Sequence, residues 1–210
     1  MASVYNDRMA YIHVPKTGGT WLMQALVKSG VECKVVHEGG AISHVSWSKM
    51  PPRPFRFGFV RYPPTWYRSY WTFVRNAPEG AADNDLDRTI LKSTEFSDFV
   101  ETSFTNFPGF LSVMYEDFLG PPGAIEFIGR YENLQDDLIE ALRLAGETEG
   151  WGAANYHVIR NLPPVNVSSA KAGMAPELEA MILESEAHAV ERFYGENTDL
   201  AGAQTGSTSS

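Results

Sequence analysis

Short apolar runs alternate along the chain with longer segments in which apolar residues recur at every third or fourth position. A short continuous apolar run is typical of a buried strand, whereas the longer spacing indicates an amphipathic helix. We predict strands over residues 9–14, 34–37, 55–60 and 125–129. We predict helices over residues 20–29, 64–76 and 176–193, and two more that begin after the capping residues Thr94 and Asn133.

This alternation of strands and helices predicts an α/β fold in which helices cover both faces of a central parallel sheet. The 210 residues suffice for one such domain, and a hydrophobic fraction of 43% is that of a globular chain. We therefore predict a single domain over residues 1–195. The segment 196–210 is rich in Gly, Ser and Thr, and we predict it to be a disordered tail.

The first predicted strand leads into a glycine-containing loop and a helix, over residues 11–22 with the sequence YIHVPKTGGTWL. Such a loop directs several backbone N–H groups to one point, where the helix N-terminus adds partial positive charge. We expect the N–H groups of residues 17–20 to bind a phosphate or sulfate group, with Lys16 beside it. In a Walker A loop the lysine follows the last glycine, but here Lys16 precedes Gly18 and Gly19.

A second segment, residues 55–71, also has the order strand, turn and helix. Arg61 follows the last strand residue, and Ser69 falls about a turn and a half into the following helix, so it can face back toward Arg61. A guanidinium group with a hydroxyl donor suits a dianionic phosphate monoester. Taken alone, Arg61 and the nearby Arg68 could instead be solvated surface charges.

The order of residues 15–21, PKTGGTW, resembles the 5′-phosphosulfate loop of sulfotransferases that use 3′-phosphoadenosine 5′-phosphosulfate (PAPS). Arg61 and Ser69 match that family's 3′-phosphate motif, an Arg with a Ser eight positions later. The family usually has Asp after this Arg, where this chain has Tyr62. The resemblance implies a P-loop-like three-layer fold, PAPS as the donor, and Lys16 as the group that neutralises charge on the leaving phosphate.

Two later segments extend the resemblance over most of the chain. Residues 128–138 are similar to the family segment that links a late strand to a helix. Residues 166–171, NVSSAK, are similar to a segment that contacts the 3′-phosphate, which implies contacts from Ser169 and Lys171. The family also implies that Trp21 stacks on the adenine, although its helical spacing equally suits a core residue.

Sulfuryl transfer to a hydroxyl group needs a base, and a histidine near neutral pKa suits that role. His37 and His44 flank a Gly-Gly loop on the side where a parallel sheet places its ligands. Residues 44–47, HVSW, resemble a string of heparan sulfate 2-O-sulfotransferases whose histidine is the catalytic base, which favours His44. His37 and Glu38 remain alternatives, as does a plain loop role for His44.

Composition restricts the classes of partner and metal that the protein could bind. A net charge of −9 argues against broad nucleic-acid binding, and one cysteine, Cys33, excludes a cysteine-based zinc site. No signal-peptide pattern or long apolar run is present, so we expect a cytoplasmic protein without membrane contact. No acidic cluster that could hold Mg²⁺ follows the loop of residues 15–20, so we expect no metal. We predict a hydroxyl-bearing small molecule or carbohydrate as acceptor. A P-loop nucleotide kinase and a non-catalytic binder of nucleotides or sulfated ligands are the alternatives; oligomeric state is not predicted.

Overall fold

The fold is built on a mixed five-stranded sheet, with helices packed against both of its faces. The structure, a computed structural model, describes residues 3–38, 41–42, 44–78, 84–164 and 174–195. The predicted tail, residues 196–210, lies outside the described residues. In the part of the chain that is described, no helix is both long enough and apolar enough to cross a bilayer.

The sheet has the strand order β3-β1-β2-β6-β7, and a separate hairpin is formed by β4 and β5. The strands are β1 (Val4–Tyr5), β2 (Met9–Ile12), β3 (Lys34–Val35), β4 (His37–Glu38), β5 (Ala41–Ile42), β6 (Phe55–Val60) and β7 (Phe127–Arg130). Strands β2, β6 and β7 are parallel to one another, whereas β1 pairs antiparallel with both β2 and β3.

The prediction of a wholly parallel sheet is therefore wrong at one edge. Strand β1 has only two residues, which is too short to produce a periodic signal. It lies between β2 and β3 and runs antiparallel to both. The segment predicted as one strand over residues 34–37 is divided between β3 and the hairpin strand β4. The α/β class is confirmed, and three of the five strands, β2, β6 and the edge strand β7, are parallel as predicted.

Nine α-helices lie in the described ranges. They are α1 (Gly19–Lys28), α2 (Pro63–Arg75), α3 (Asp85–Lys92), α4 (Phe96–Asn106), α5 (Phe110–Leu119), α6 (Leu134–Leu144), α7 (Ala153–Asn161), α8 (Pro176–Ser185) and α9 (Ala187–Tyr194). The last predicted helix is in fact two, α8 and α9, and helices α3, α5 and α7 were not predicted from the sequence.

Alternate residues of the central strands enter two separate hydrophobic clusters, one on each face of the sheet, because successive strand side chains point to opposite sides. Tyr11, Phe57 and Phe59 belong to the cluster that contains residues of α1, α6 and α7. Ile12 and Val60 belong to the other cluster, which contains residues of α2–α5, α8 and α9. The two layers of helices are thus held by the same three parallel strands.

The carboxyl ends of β2, β6 and β7 lie at the same edge of the sheet, because these strands are parallel. Ligands of open α/β sheets bind beyond this edge, where the loops that follow the strands converge. Here those loops lead into α1, α2 and α6, and they contain the predicted residues Lys16 and Arg61.

Candidate functional site

The loop between β2 and α1 presents unpaired backbone donors. The first hydrogen bond of the helix runs from Leu22 N–H to the carbonyl of Gly18 at 3.0 Å. The N–H groups of Gly19, Thr20 and Trp21 therefore have no acceptor among the residues that the structure describes. Two of these residues, Gly19 and Thr20, belong to the predicted set 17–20, and donors at a helix N-terminus would stabilise an anion.

The two glycines of the loop are required by close packing. Gly18 has a φ of 89°, in the left-handed region, and a Cβ added there would lie 2.8 Å from Leu134 Cδ2. Gly19 packs directly against the imidazole of His13, so that a Cβ at this position would overlap the ring. The loop is further fixed by Thr17, whose buried hydroxyl donates to the Val14 carbonyl at 2.8 Å.

Arg61 lies beside this loop and contacts it directly. Its Nε–H donates to Thr65 Oγ1 at 3.1 Å, and Nη1 donates to the Lys16 carbonyl at 3.3 Å. The guanidinium carbon lies 4.1 Å from the ring centroid of Tyr131, which is a cation–π contact. These contacts use only part of the guanidinium, and its remaining N–H donors can reach a ligand.

Lys16 places a second positive charge close to Arg61. Its Nζ lies 4.2 Å from the ring centroid of Phe73. Burial, helped by the charge of Arg61, lowers the pKa of Lys16 to about 8. Within the described residues neither Lys16 nor Arg61 forms an ion pair with a carboxylate. Glu132 attracts Arg61 from beyond ion-pair distance, but two neighbouring cations without a closely paired carboxylate still favour the binding of an anion between or beside them.

Ser69 lies on the face of α2 that both Arg61 and Lys16 contact. Residues four apart on a helix are neighbours on one face, so Ser69 is flanked by Thr65 and Phe73. Arg61 bonds to Thr65, and Lys16 lies over Phe73. The half-buried Ser69 is therefore positioned between the contacts of the two cations, although the structure shows no hydrogen bond from its hydroxyl to either.

A cavity of about 490 Å³ opens next to Arg61, and it has the size of a small-ligand site. Trp21 and Tyr131 contribute aromatic walls. The other lining residues are Gly18, Arg61, Thr65, Glu132, Asn133, Leu134, Gln135, Asp136, Leu162 and Pro164. Lys16, Ser69 and His44 do not line it.

Trp21 is packed as a core residue and also lines the cavity, while its stacking on adenine stays a prediction. Its side chain is only 5% exposed, and its Nε1–H donates to the Leu162 carbonyl at 3.2 Å, as for a core residue. It also lines the cavity. The sequence analysis missed Tyr131, for which the available signal was the family-like segment 128–138 that contains it.

The acidic side chains in the cavity wall are already engaged. Glu132 accepts hydrogen bonds from Tyr62 N–H at 2.9 Å and from the Tyr194 hydroxyl at 3.0 Å. Asp136 forms an ion pair with Arg160 at 3.1 Å. Arg160 offsets the negative charge of Asp136, whereas the two described donors to Glu132 are neutral, and Glu132 interacts electrostatically with Arg61.

His44 is held in one tautomer. Its Nδ1 lies 3.1 Å from the carbonyl oxygen of His13, and because a carbonyl only accepts, Nδ1 carries the hydrogen. Neutral His44 therefore has its lone pair on Nε2. Desolvation lowers the pKa of His44, although much of the residue is exposed, and this favours the neutral form. The His13 and His44 rings lie 4.5 Å apart, so His44 is linked through His13 to Gly19.

The remaining predicted site residues are either exposed or not described by the structure. His37 is exposed on the hairpin strand β4, and its Nδ1 lies 3.1 Å from the Val35 carbonyl. Glu38 follows it in β4, but its side chain lies outside the described part. Ser169 and Lys171 fall within residues 165–173, which the structure does not describe.

Comparisons with protein-family models, with curated proteins and with solved structures found no match for this chain. The functional conclusion therefore depends on the geometry and chemistry of the site itself. That site combines unpaired backbone donors, two cations and a cavity with aromatic walls. An anionic nucleotide requires groups of these three kinds.

Proposed function

We propose that the protein is a PAPS-dependent sulfotransferase with a P-loop-like fold, which transfers a sulfuryl group to a hydroxyl of a small alcohol or carbohydrate. The observation that carries the proposal is the pairing of Lys16 with Arg61 at the N-terminus of α1, without a described carboxylate partner for either. A cytoplasmic location is part of the proposal, since Cys33 is a free thiol, which is usual in reducing compartments.

The residues of the site fit this donor. The free N–H groups at the start of α1, with Lys16, suit the 5′-phosphosulfate. Arg61 suits the 3′-phosphate, with the hydroxyl of Ser69 on the adjacent helix face. The hydroxyl of Thr65 already donates to the Tyr62 carbonyl at 2.9 Å and serves to hold Arg61. The cavity bounded by Trp21 and Tyr131 offers aromatic surfaces to the base. Contacts from Ser169 and Lys171 remain expectations from the sequence.

The protein has to supply two things for this transfer, stabilisation of charge and a base. PAPS supplies an activated sulfuryl group, whose bond to the phosphate oxygen is replaced by a bond to the acceptor oxygen. Lys16 stabilises the negative charge that develops on the phosphate. His44 Nε2 accepts the proton that the acceptor hydroxyl loses, because Nδ1 is already committed to the His13 carbonyl. The acceptor's identity is not fixed by these groups.

The proposal is tested by calorimetry with adenosine 3′,5′-bisphosphate, AMP, ADP and ATP with Mg²⁺. We expect the bisphosphate to bind about ten- to a hundred-fold more tightly than AMP, the worth of a charge-assisted contact to phosphate. Arg61→Ala should remove this difference. Arg56→Ala is the matched control, because Arg56 is the second residue of β6, the strand that Arg61 follows, and pairs instead with Glu126 at 3.4 Å.

A turnover assay with PAPS and a panel of alcohols and sugars completes the test. Equal affinities for the bisphosphate and AMP would overturn the assignment of the 3′-phosphate site. Tighter binding of ATP with Mg²⁺ would favour the nucleotide kinase instead. Preferential bisphosphate binding without transfer to any hydroxyl would favour the non-catalytic binder.

A further inference from the structure

The backbone of Arg61 is held by a side chain and not by a neighbouring strand. Strand β6 ends at Val60, which pairs with Arg130, so Arg61 lies one residue beyond the ladder. The hydroxyl of Tyr115 accepts a hydrogen bond from Arg61 N–H at 2.8 Å and donates one to the Arg61 carbonyl at 2.7 Å. One phenol group thus replaces the partner residue that a strand would have provided.

Tyr115 is itself rigidly placed. It lies on α5, its side chain is fully buried, and its ring packs edge-on against Phe193 with 5.5 Å between centroids. Burial raises the pKa of Tyr115 well above its ordinary value, so the hydroxyl keeps its proton and both hydrogen bonds persist. The position of Arg61 is therefore fixed by a residue of the helix layer, and not only by the loop that contains Arg61.

The next peptide group is fixed in the same way, since Tyr62 N–H donates to Glu132 at 2.9 Å. With its backbone held on both sides, Arg61 directs its guanidinium to Thr65, to the Lys16 carbonyl and over Tyr131. A long side chain amplifies any shift at its Cα, and misplacement by about 1 Å is costly in a binding or catalytic site.

We propose that Tyr115 is a positioning residue for Arg61, which sets the geometry with which this arginine recognises the 3′-phosphate of the nucleotide. The proposal rests on the proposed function, because it presupposes that Arg61 binds that phosphate. Tyr115 does not contact the ligand; it acts through the two hydrogen bonds to the Arg61 backbone.

The test is the Tyr115→Phe variant, which keeps the ring and removes the hydroxyl. The measured quantity is the ratio of the dissociation constants for AMP and adenosine 3′,5′-bisphosphate, since only the bisphosphate uses the 3′-phosphate contact. We expect this ratio to fall about tenfold, which corresponds to about 1.4 kcal/mol. The affinity for AMP itself should change little.

Tyr67→Phe is the matched control. Tyr67 is also a buried tyrosine, and its hydroxyl donates at 2.5 Å to Glu186, whose carboxylate holds the opposite end of α5. A general loosening of α5 would affect both variants, whereas positioning of Arg61 affects Tyr115→Phe alone. In an Arg61→Ala background, Tyr115→Phe should leave the ratio unchanged, because residues that act as a unit are not additive.

The possible failures are distinguishable. If the unmodified protein binds AMP and the bisphosphate equally, the proposed function is wrong. If it prefers the bisphosphate and Tyr115→Phe keeps that preference, or Tyr67→Phe lowers it equally, the positioning role is wrong while the proposed function stands. If Tyr115→Phe does not fold, 3,5-difluorotyrosine at position 115 retains the hydroxyl but weakens it as an acceptor, and the ratio must still fall.

Discussion

At the scale of single residues, Lys16 is the point where backbone strain and charge coincide. Its φ of 66° lies in the left-handed region, which costs a non-glycine residue of order 1 kcal/mol. The hydrogen bond from Arg61 Nη1 to the Lys16 carbonyl helps to hold this conformation. The same arginine lowers the pKa of Lys16, so an anion that offsets both charges would relieve an unfavourable interaction.

We predict that the bisphosphate is bound with uptake of a proton near pH 8. The pKa of Lys16 is about 8 in the free protein, where about half of the side chains are neutral, and a bound anion should raise it toward about 10.4. Calorimetry in buffers of different ionisation enthalpy should detect up to about half a proton taken up at pH 8, and almost none at pH 6.5.

The control is Lys16→Met, which keeps an unbranched side chain over Phe73 but does not titrate. The variant should bind without proton uptake at pH 8. Uptake of the same size in Lys16→Met would show that another group titrates, and that Lys16 does not contact the ligand.

A second prediction at this scale concerns His44 as the base. Its lowered pKa means that the neutral form dominates at pH 7, and the rate should fall as the pH drops through that pKa, below about 6.5. His44→Ala should lose about 10²–10⁴ in kcat, lose this acidic limb, and keep its affinity for the bisphosphate. A pH–rate profile with His37→Ala and Glu38→Ala as controls checks this. Near-normal turnover by His44→Ala would exclude His44.

At the scale of secondary-structure elements, one buried carboxylate joins four helices. Glu186 lies between α8 and α9 and is fully buried. It accepts hydrogen bonds from the backbone N–H groups of Leu111 and Ser112, in the first turn of α5. It also accepts from the hydroxyls of Ser112 and Tyr67 on α5 and α2. Negative charge at a helix N-terminus is favourable, so this group fixes α5 and, through it, Tyr115.

Glu186→Gln should therefore destabilise the fold by about 1.5–3 kcal/mol, because an amide places N–H donors against groups that are themselves donors. Urea denaturation measures the loss. Glu184→Gln, on the exposed side of α8, is the matched control and should change the stability by less than about 0.5 kcal/mol. Equal stabilities for the two variants would show that the Glu186 cluster contributes little.

These same elements show what the sequence could and could not predict. The buried run of β6 and the helices on either side of it have strong periodic signals, and β6 was predicted with the observed ends. The break between α8 and α9 was missed, because Glu186 looks like a surface residue until its partners on α5 and α2 are known. Pairing of the two-residue β1 depends on tertiary contacts that leave no periodic signal.

The candidate site was predicted to a similar extent. Lys16 and Arg61 were found because their order relative to glycine and proline residues is distinctive, and the structure brings them together. Tyr115 was not found, because nothing in its surrounding sequence indicates that its hydroxyl contacts a backbone distant in the chain. Local motifs thus identified the groups proposed to touch the ligand, but not the buried side chain that positions one of them.

At the scale of the whole molecule, the site lies where both layers of helices meet the sheet. Its residues lie in the loops that follow β2, β6 and β7, in the first turns of α1, α2 and α6, and just after α7. The protein carries a net charge of −9, so the attraction for an anion is local and arises from Lys16, Arg61 and the start of α1. A ligand held by these groups would connect segments that are far apart in the chain.

We therefore predict that the bisphosphate stabilises the whole domain cooperatively. At a concentration of about 100 times the dissociation constant, it should add about 2.7 kcal/mol, and each 1 kcal/mol raises Tm by about 2–4 °C for a chain of this size. A thermal shift of about 5–10 °C is expected, with a much smaller one in Arg61→Ala at the same concentration. Hydrogen exchange should slow together in residues 16–22, 61–66 and 131–136. Protection confined to the first of these segments would mean that the ligand contacts the loop after β2 alone, and that the site does not extend to Arg61 and Tyr131.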